Sequence, residues 1–467
     1  MDRTSQTTEL LLPLARGAQR PMGVQIEEHL RQAIRAGTLK PGARVPSTRD
    51  LARQLGVSRG LVVNAYAQLG AEGYLVVRQG ALPRVAEAAA GEAAAVEESP
   101  PVATPPRYDF RPSLPDVSLF PRDAWLRCVR KALTEMTDED MRYGDPRGAE
   151  PLRSALAGYL GRVRGVVATP ARFVITTGYR QSEHLLCHAL AARGAKRIAL
   201  ENPGQPEQRL SATRAGLEPV MIDVDDGGMR IDELDRARVD AVILTPTHQS
   251  PVGVPLAGER RTALLEWLRA RDAIAIEDDY DAEFRYDRAA VGALQGLEPE
   301  HVVYAGTVSK TLVPALRLGW LALPARLVDA VAEEKLLADR TTAQIDQHAF
   351  ASFLQSGELD RHLRRMRVRY RSRRDALLAA LERELPETHV EGIAAGLHAT
   401  VRMPEGDDER AIAEEAERRR VAIEVMGDYR DGGAGPPTLL LGYGQIAEPS
   451  IAPGVAALAE AVRATRA

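Results

Sequence analysis

Near the start of the chain, apolar positions recur with the period of a helix. Residues 24–36 place four of them on one stripe, namely Ile26, Leu30, Ala33 and Ile34. A second helix is predicted to begin after Ser47, because Asp50 follows three residues later and completes a capping box. The turn at residues 56–58 leads into a third helix, on which the buried stripe is predicted to contain Leu61, Ala65 and Leu69.

Two short helices separated by a glycine turn predict a helix-turn-helix, whose second helix enters the major groove of DNA. Ser58, Arg59 and Asn64 lie off the predicted buried stripe of that second helix. They are therefore free to contact phosphates or base edges. The following stretch, "GYLVVRQGALPRVA" (73–86), predicts a two-stranded wing with Arg78 and Arg84 near its turn.

Later in the chain, short apolar runs alternate with amphipathic segments such as "RRTALLEWLRAR". The apolar runs are "RFVITTG", "RIALENPG", "AVILTPTHQSPVG", "AIAIEDDY" and "VVYAGT". Strands that alternate with helices predict an α/β fold with a mostly parallel sheet covered on both faces. Ligands bind such sheets where strands end and loops begin.

The segment between these two regions, "AEAAAGEAAAVEESPPVATPPRY" (86–108), is rich in Ala, Glu and Pro and has no amphipathic period. It is predicted to be a flexible linker. The resulting division of the chain is a DNA-binding domain at 15–86, a linker at 87–107, a large domain at 108–330 and a small C-terminal domain at 331–467.

The charge distribution indicates that the first region binds a partner that the rest of the chain does not bind. Residues 1–86 hold 12 Lys and Arg against 6 Asp and Glu, whereas the remainder holds 49 against 59. A basic domain on an acidic body indicates contact with a polyanion through the domain alone. Two cysteines, no apolar run long enough for a membrane span and no secretion signal predict a cytoplasmic protein.

The stretch "AGTLKPGARVPSTRDLARQLGVSRGLVVNAYAQLGAEGYLVVRQG" (36–80) resembles the winged helix of the GntR superfamily, with the capping residue, turn and wing in order. The resemblance implies binding to a double-stranded DNA operator. The residues expected to face DNA are Arg44, Ser47, Arg49, Ser58, Arg59, Asn64, Arg78, Gln79 and Gly80.

Lys310 in "TVSKTLVPALRLGW" follows an apolar strand, and partial desolvation there lowers a lysine pKa and makes an imine practicable. Pyridoxal phosphate also needs a carboxylate at its pyridinium nitrogen, a hydroxyl donor at its ring oxygen and a phosphate cup. "IEDDYDAEF" (276–284) supplies Asp278 and Tyr280, and Gly178 in "TTGYRQSEHLL" permits a close backbone approach. No set of residues predicts a metal site.

Together these motifs resemble fold-type I aminotransferases from about Tyr108 onward. Joined to the winged helix, the chain resembles the MocR/GabR family of transcriptional regulators. The matching stretches are "LPDVSLFPRDAWLR", "YGDPRGAEPLR", "ENPG", "TPTHQSPVG", "EDDYDAEFRY" and "GTVSKTLVPALRLGW".

The resemblance implies a role for each matching residue in holding pyridoxal 5'-phosphate. Lys310 would form the internal aldimine, Asp278 would pair with the pyridine nitrogen and Tyr280 would approach the ring oxygen, with Asp279 as the alternative carboxylate. The phosphate would be held by Gly178, Tyr179, Ser309 and Arg317, helped by Tyr143 from a second subunit. This last contact requires a dimer, which the family forms head to tail.

Three positions depart from the aminotransferase pattern. Ser250 stands where an Asn usually precedes Pro, so contact to the ring oxygen would pass to His248 or Tyr280. Gln205 stands where an aromatic ring often covers the cofactor. Leu440 takes the place of the arginine that clamps a substrate carboxylate, which argues against ordinary transamination unless Arg430 substitutes for it.

Three functions follow from these residues. The sequence favours a regulator that binds DNA through its first domain and senses an effector, either pyridoxal phosphate itself or an amino compound, through its body. A working aminotransferase with an accessory DNA-binding domain is the alternative, and Leu440 counts against it. A body kept only as a scaffold for dimerisation is the third, and Lys310 and Arg317 count against that.

Overall fold

The structure is a computed structural model that describes residues 12–15, 20–78, 80–87, 105–112, 114–286, 291–392, 395–433 and 435–466. Contacts between Cα atoms divide the chain into two compact units, Met1–Ala103 and Thr104–Ala467. Within the described residues, no helix is both long and apolar enough to cross a membrane.

The first unit has the predicted helix-turn-helix and wing. Its elements are α1 (Met22–Arg35), α2 (Thr48–Leu55), α3 (Arg59–Ala71), β1 (Leu75–Val76) and β2 (Arg84–Val85). Ser47 accepts a hydrogen bond from the Asp50 amide at the start of α2, so the predicted cap is confirmed. Gly56 ends that helix in the left-handed conformation, with φ of 63°, which glycine adopts at little steric cost. The two strands of the wing pair antiparallel.

The buried stripe of α3 differs from the predicted one. Four residues form it, namely Val62, Ala65, Tyr66 and Leu69. Leu61 is only partly buried, because the stripe of a helix with 3.6 residues per turn drifts away from a strict spacing of four. Tyr66 is buried with its hydroxyl donating to the Pro46 carbonyl, which the apolar pattern alone does not indicate.

The second unit is built on an eight-stranded sheet in which most neighbouring strands are parallel, as predicted. Strand β3 (Tyr108–Asp109) and two helices, α4 (Arg122–Glu135) and α5 (Glu150–Arg164), precede it. The strands of the sheet are β4 (Phe173–Thr176), β5 (Arg197–Asn202), β6 (Glu218–Asp225), β7 (Gly228–Met229), β8 (Ala241–Leu244), β9 (Ile274–Asp279), β10 (Val302–Thr307) and β11 (Gly319–Ala322). Their order is β4-β11-β10-β9-β8-β5-β6-β7, and β11 runs antiparallel to both of its neighbours.

Helices cover both faces of this sheet. They are α6 (Tyr179–Ala192), α7 (Pro206–Arg214), α8 (Leu234–Ala237), α9 (Gly258–Arg271) and α10 (Ala325–Asp339). Alternate residues of β9 belong to different cores: Ile274 and Ile276 pack in one cluster, while Ala275 packs in another with Leu264 of α9. A strand buried on both faces explains the continuous apolar run in its sequence.

The C-terminal part carries a second, antiparallel sheet. It contains α11 (Gln344–Gln355), α12 (Glu358–Glu384), β12 (His389–Glu391), β13 (His398–Arg402), α13 (Glu409–Arg418), β14 (Val421–Ala422), β15 (Glu424–Val425), β16 (Thr438–Gly442) and α14 (Glu448–Arg466). The sheet order is β12-β13-β16-β15. Strand β3, just after the predicted linker, pairs with β14, so the start of the body contacts its C-terminal part. The domain limits at 108–330 and 331–467 remain predictions.

Candidate functional site

The carboxyl ends of neighbouring strands bring most of the predicted body residues to one cavity of about 280 Å³. Tyr179 contributes to its wall from the start of α6, which follows β4. Asp278 and Tyr280 contribute from the end of β9, and Ser309 and Lys310 contribute from the segment after β10. The predicted residues that line it are Tyr179, Asp278, Tyr280, Ser309, Lys310 and Arg317. This is the position at which parallel sheets usually bind ligands.

Lys310 follows β10 and reaches the cavity with most of its side chain out of water. Burial lowers the pKa of its ammonium group, and the carboxyls of Asp281 and Asp278 partly oppose that shift. A lowered pKa increases the fraction of neutral amine, which is the nucleophilic form.

Asp278 faces the cavity with an incomplete set of partners. Its Oδ1 is buried and has no hydrogen-bond partner in the described part of the chain. Burial raises the pKa of the Asp278 carboxyl well above its ordinary value, and the nearby carboxyl of Glu183 raises it further. A buried carboxyl without a partner is costly, so this side chain is suited to a cationic or proton-donating ligand.

Two neighbouring acids of the 276–284 stretch, Glu277 and Asp279, are bound within the fold. Asp279 Oδ2 lies 2.8 Å from Arg164 Nε in a buried ion pair and accepts the Tyr304 hydroxyl at 2.7 Å. Glu277 accepts the amides of Leu294 and Gln295 at 3.0 and 3.1 Å. Of the two carboxylates considered from the sequence, Asp278 therefore lines the cavity and Asp279 does not.

Tyr280 is held by a buried histidine. Nδ1 of His248 lies 3.1 Å from the Tyr280 hydroxyl and 2.9 Å from Oδ2 of Asp281. Nε2 of the same ring lies 3.3 Å from the Gly392 carbonyl oxygen. The structure thus puts His248 behind Tyr280, where it orients the phenol, and the cavity wall itself is formed by the tyrosine.

Gly178, just after β4, supports an anion-binding corner. Its φ is 114°, and a Cβ built on it would lie 3.2 Å from both terminal nitrogens of Arg317. A side chain at this position would therefore crowd the guanidinium. Gly178 is also the N-cap of the 14-residue helix α6, and the free amides and dipole of a helix N-terminus attract anions. Ser309 adds a hydroxyl to the same cavity.

Three further lining residues form a hydrogen-bonded chain along the wall. Nη2 of Arg180 lies 3.3 Å from Gln205 Oε1, and Gln205 Nε2 donates to the Ser250 hydroxyl at 3.2 Å. Arg180 is anchored by the buried carboxylate of Glu183 at 3.1 Å. Gln205 and Ser250 depart from the aminotransferase pattern and are therefore visible in the sequence, whereas Arg180 and Glu183 are not identified from the sequence. Their signal is the charge pair three residues apart at the start of α6.

The remaining body predictions lie outside the cavity wall. Leu440 is fully buried in β16, beside Thr400 of β13 and Glu424 of β15. Arg430 donates to the Pro436 carbonyl in its own loop. Tyr143 is 75% exposed, with the Arg340 guanidinium 4.3 Å from its ring centroid. It does not line this cavity, and its contact with a second subunit remains a prediction.

In the first unit, the predicted DNA-facing side chains are largely exposed. Arg59 and Asn64 lie on the exposed side of α3, while Ser58 caps that helix by accepting the Leu61 amide. Ser47 is partly buried because it caps α2. The other exposed positions are Arg44, Arg49, Arg78 and Gly80. Gln79 lies outside the described residues.

Family models match both parts of the chain. Residues 23–82 match the gntR family of bacterial regulatory proteins. Residues 118–422 match aminotransferase class I and II. The two matches fall on the helix-turn-helix with its wing and on the unit that contains the cavity.

Curated relatives combine the same two parts over nearly their whole length. The chain is 32% identical over 457 residues to the pyridoxine biosynthesis transcriptional regulator PdxR of Corynebacterium glutamicum, covering 97% of this chain and 98% of the relative. It is 31% identical over 474 residues to the probable rhizopine catabolism regulatory protein MocR of Rhizobium meliloti, covering 97% and 96%.

Solved aminotransferase structures match about three quarters of the chain. A multiple substrate aminotransferase from Thermococcus profundus superposes with a TM-score of 0.70 at 27% identity, covering 77% of this chain and 91% of that one. LysN, an α-aminoadipate aminotransferase from Thermus thermophilus, gives a TM-score of 0.69 at 25% identity over 77% and 92%. The chain therefore belongs to the MocR-type regulators of the GntR family, which join a winged helix-turn-helix to a fold-type I aminotransferase domain.

Proposed function

We propose that this chain is a transcriptional regulator that binds double-stranded DNA through its winged helix and pyridoxal 5'-phosphate through the cavity at Lys310. A small-molecule effector at that cavity changes the affinity for DNA. The observation that carries the proposal is that Asp278, whose buried Oδ1 has no hydrogen-bond partner among the described residues, lines the same cavity as Lys310 on a chain with a helix-turn-helix.

The residues of the cavity fit the cofactor. When bound, pyridoxal phosphate supplies an aldehyde that condenses reversibly with primary amines and a ring that withdraws electrons. Lys310 is the amine for the aldehyde, and Tyr280 is the donor for the ring hydroxyl. The corner at Gly178, Ser309 and Arg317 is suited to the phosphate. LysN, similar in fold, was solved with a phosphopyridoxyl derivative of leucine.

Asp278 accounts for the orientation of the ring. Burial raises the pKa of this carboxyl well above its ordinary value and so disfavours its ionised form. A protonated ring nitrogen opposite it would favour the ionised form and donate a charge-assisted hydrogen bond to it. The binding of the ring therefore removes the cost of an unpartnered buried acid, and part of the binding free energy comes from this residue.

A head-to-tail homodimer completes the proposal. Tyr143 would contact the phosphate of the partner subunit's cavity. Exposed apolar side chains on the same unit support an interface between copies; they are Met141, Leu336, Leu337 and Ile345. Met141 and Ile345 line one surface depression together with Tyr143, and contiguous exposed apolar side chains mark surfaces that a second chain covers.

The effector is pyridoxal phosphate itself or an amino compound. Leu440 offers no charge to a substrate carboxylate, and Arg430 is engaged by its own loop. This favours pyridoxal phosphate, as does similarity to PdxR, a transcriptional regulator of pyridoxine biosynthesis. The alternative of a working aminotransferase draws support from the 29% identity over 367 residues with an aromatic-amino-acid aminotransferase of Thermococcus litoralis.

Reduction with borohydride tests the cofactor assignment. Wild-type protein incubated with pyridoxal phosphate and reduced should carry one phosphopyridoxyl group per chain, on the peptide that contains Lys310. Lys310→Ala should carry none there, while Lys196→Ala, which changes an exposed lysine, should label like wild type. Labelling that survives Lys310→Ala would contradict the assignment. Amino-group transfer from an amino acid to an oxo acid by the same preparation would favour the aminotransferase.

A further inference from the structure

Helix α12 carries a concentration of positive charge on a unit that is otherwise acidic. Residues 358–375 contain eight arginines against three acidic residues. Two of the arginines, Arg373 and Arg374, are buried and serve the fold. The other six are exposed, and we name them the arginine ridge: Arg361, Arg364, Arg365, Arg367, Arg369 and Arg371.

The ridge has few counter-charges. Arg361 pairs with Glu358 at 3.0 Å, and Arg367 and Arg371 donate to backbone carbonyls. Within the described ranges, Arg364, Arg365 and Arg369 have no hydrogen-bonded or ionic partner. Asp360, on the same helix, is taken by Arg162 at 2.9 Å. Half of the ridge therefore presents its donors to solvent.

The spacing of the ridge works against the helix itself. Arg361, Arg365 and Arg369 follow one another at intervals of four residues, so they stack along one face. Like charges at this spacing destabilise a helix. Val368, between them, is 71% exposed and lies where two surface depressions lined by the ridge meet. Neither apolar packing nor internal ion pairs explain this face, whereas an external polyanion would.

We infer that the arginine ridge of α12 binds the phosphate backbone of duplex DNA outside the site that the winged helix contacts. The winged helix brings duplex DNA to the chain, and arginine is suited to phosphate because its planar group donates two parallel hydrogen bonds. The ridge spans about 15 Å from Arg361 to Arg371, at 1.5 Å per residue. Such contacts carry no sequence information and add affinity that depends on salt.

The test compares the salt dependence of DNA binding. The full chain is titrated against a labelled random-sequence duplex of about 60 base pairs at several salt concentrations. In the triple variant R364Q/R365Q/R369Q, the slope of log K against log salt should shrink by roughly 2.7, since each phosphate contact contributes about 0.9. Its affinity at low salt should fall about tenfold or more.

Two matched variants control for charge and for folding. R193Q/R214Q/R236Q removes three exposed arginines elsewhere on the same unit and should keep the wild-type slope. R364K/R365K/R369K keeps the charge of the ridge and should largely keep the slope as well. Oligomeric state is followed in all variants by light scattering.

An unchanged slope in R364Q/R365Q/R369Q would overturn the inference while leaving the proposed function standing. An unchanged slope with an altered oligomeric state would overturn it in favour of a second copy of this chain as the occupant. The inference rests on the proposed function, and wild-type protein that binds no duplex at all would overturn both.

Discussion

Two neighbouring aspartates show how position on a strand decides the role of a carboxylate. Asp278 and Asp279 are both buried, at 7% and 5% exposure, yet successive residues of a strand point to opposite faces. On one face Asp279 meets the Arg164 guanidinium. On the other, Asp278 faces the cavity and has no ion pair within the described residues, although each of the two carboxyls leaves one buried oxygen without a hydrogen-bond partner there. One acid is therefore neutralised by the fold, and the other is left for a ligand.

The two substitutions Asp278→Asn and Asp279→Asn should have opposite effects. Asp278→Asn removes a carboxyl without a counter-ion, so stability should be unchanged or raised, while pyridoxal phosphate affinity falls by about 1.5–3 kcal/mol. Asp279→Asn leaves the buried Arg164 uncompensated and should cost about 3–5 kcal/mol of unfolding free energy. Denaturant unfolding and fluorescence titration measure the two quantities. A loss of stability in Asp278→Asn would contradict this division.

Arg59 is the residue through which the winged helix should read a base. It is exposed in the first turn of α3. Arg59→Ala should weaken binding to the selected operator by about 1–3 kcal/mol, with a smaller effect on random-sequence DNA. Gln68→Ala, near the other end of α3, is the control and should bind as wild type. Equal losses on operator and random DNA would assign Arg59 to a phosphate instead.

At the scale of residues, local motifs predicted the side chains that line the cavity and His248 behind Tyr280, but not the buried partners Arg164 and Glu183. Lys310, Asp278 and Tyr280 stand in local motifs, so they could be predicted. The ion pair of Asp279 joins residues 115 positions apart. No local pattern encodes such a pairing, because it depends on how distant elements meet in the folded chain.

At the scale of elements, the turn between β4 and α6 is the most constrained part of the site. Gly178 has a positive φ and lies against Arg317. Gly319, the first residue of β11, packs against Gly178: a Cβ on Gly319 would lie 2.8 Å from the Gly178 Cα. Two glycines thus let strand, helix start and guanidinium come together at one corner.

Substitution of Gly178 by alanine should separate backbone strain from ligand binding. Gly178→Ala adds a Cβ against the guanidinium and forces a conformation, with φ of 114° and ψ of 174°, that is almost confined to glycine and costs an L-residue about 1–3 kcal/mol. Gly194→Ala shares the positive φ, 101°, but its Cβ meets nothing within 4 Å. Both should lose similar stability in thermal unfolding, and only Gly178→Ala should lose affinity for pyridoxal phosphate. Equal affinities for pyridoxal phosphate in the two variants would contradict the assignment of the phosphate to the corner at Gly178.

The elements that sequence predicted well are those with strong local periodicity. The five apolar runs became β4, β5, β8, β9 and β10, and the capped helices of the first unit followed their signals. The pairing of β3 with β14 joins Tyr108 to Val421 and was not predicted. Strands of two residues carry too little pattern, and their partners are set by tertiary packing.

At the scale of the whole molecule, the winged helix and the cavity at Lys310 belong to separate compact units. One unit influences the other only if the ligand binds two states of the chain with different affinity. The coupling is then reciprocal: a ligand that strengthens DNA binding must itself bind more tightly to the DNA complex. A scaffold without a cofactor would show no such linkage.

Measurement of this linkage tests whether ligand binding at Lys310 controls DNA binding. An operator duplex is selected from random sequences by the purified chain, and its dissociation constant is measured with and without pyridoxal phosphate for wild type and Lys310→Ala. We expect pyridoxal phosphate to change the operator dissociation constant of wild type by roughly 5- to 150-fold, the usual range of allosteric coupling, and that of Lys310→Ala by much less. An operator affinity of wild type that does not change with pyridoxal phosphate, or with amines added with it, would contradict ligand sensing through Lys310.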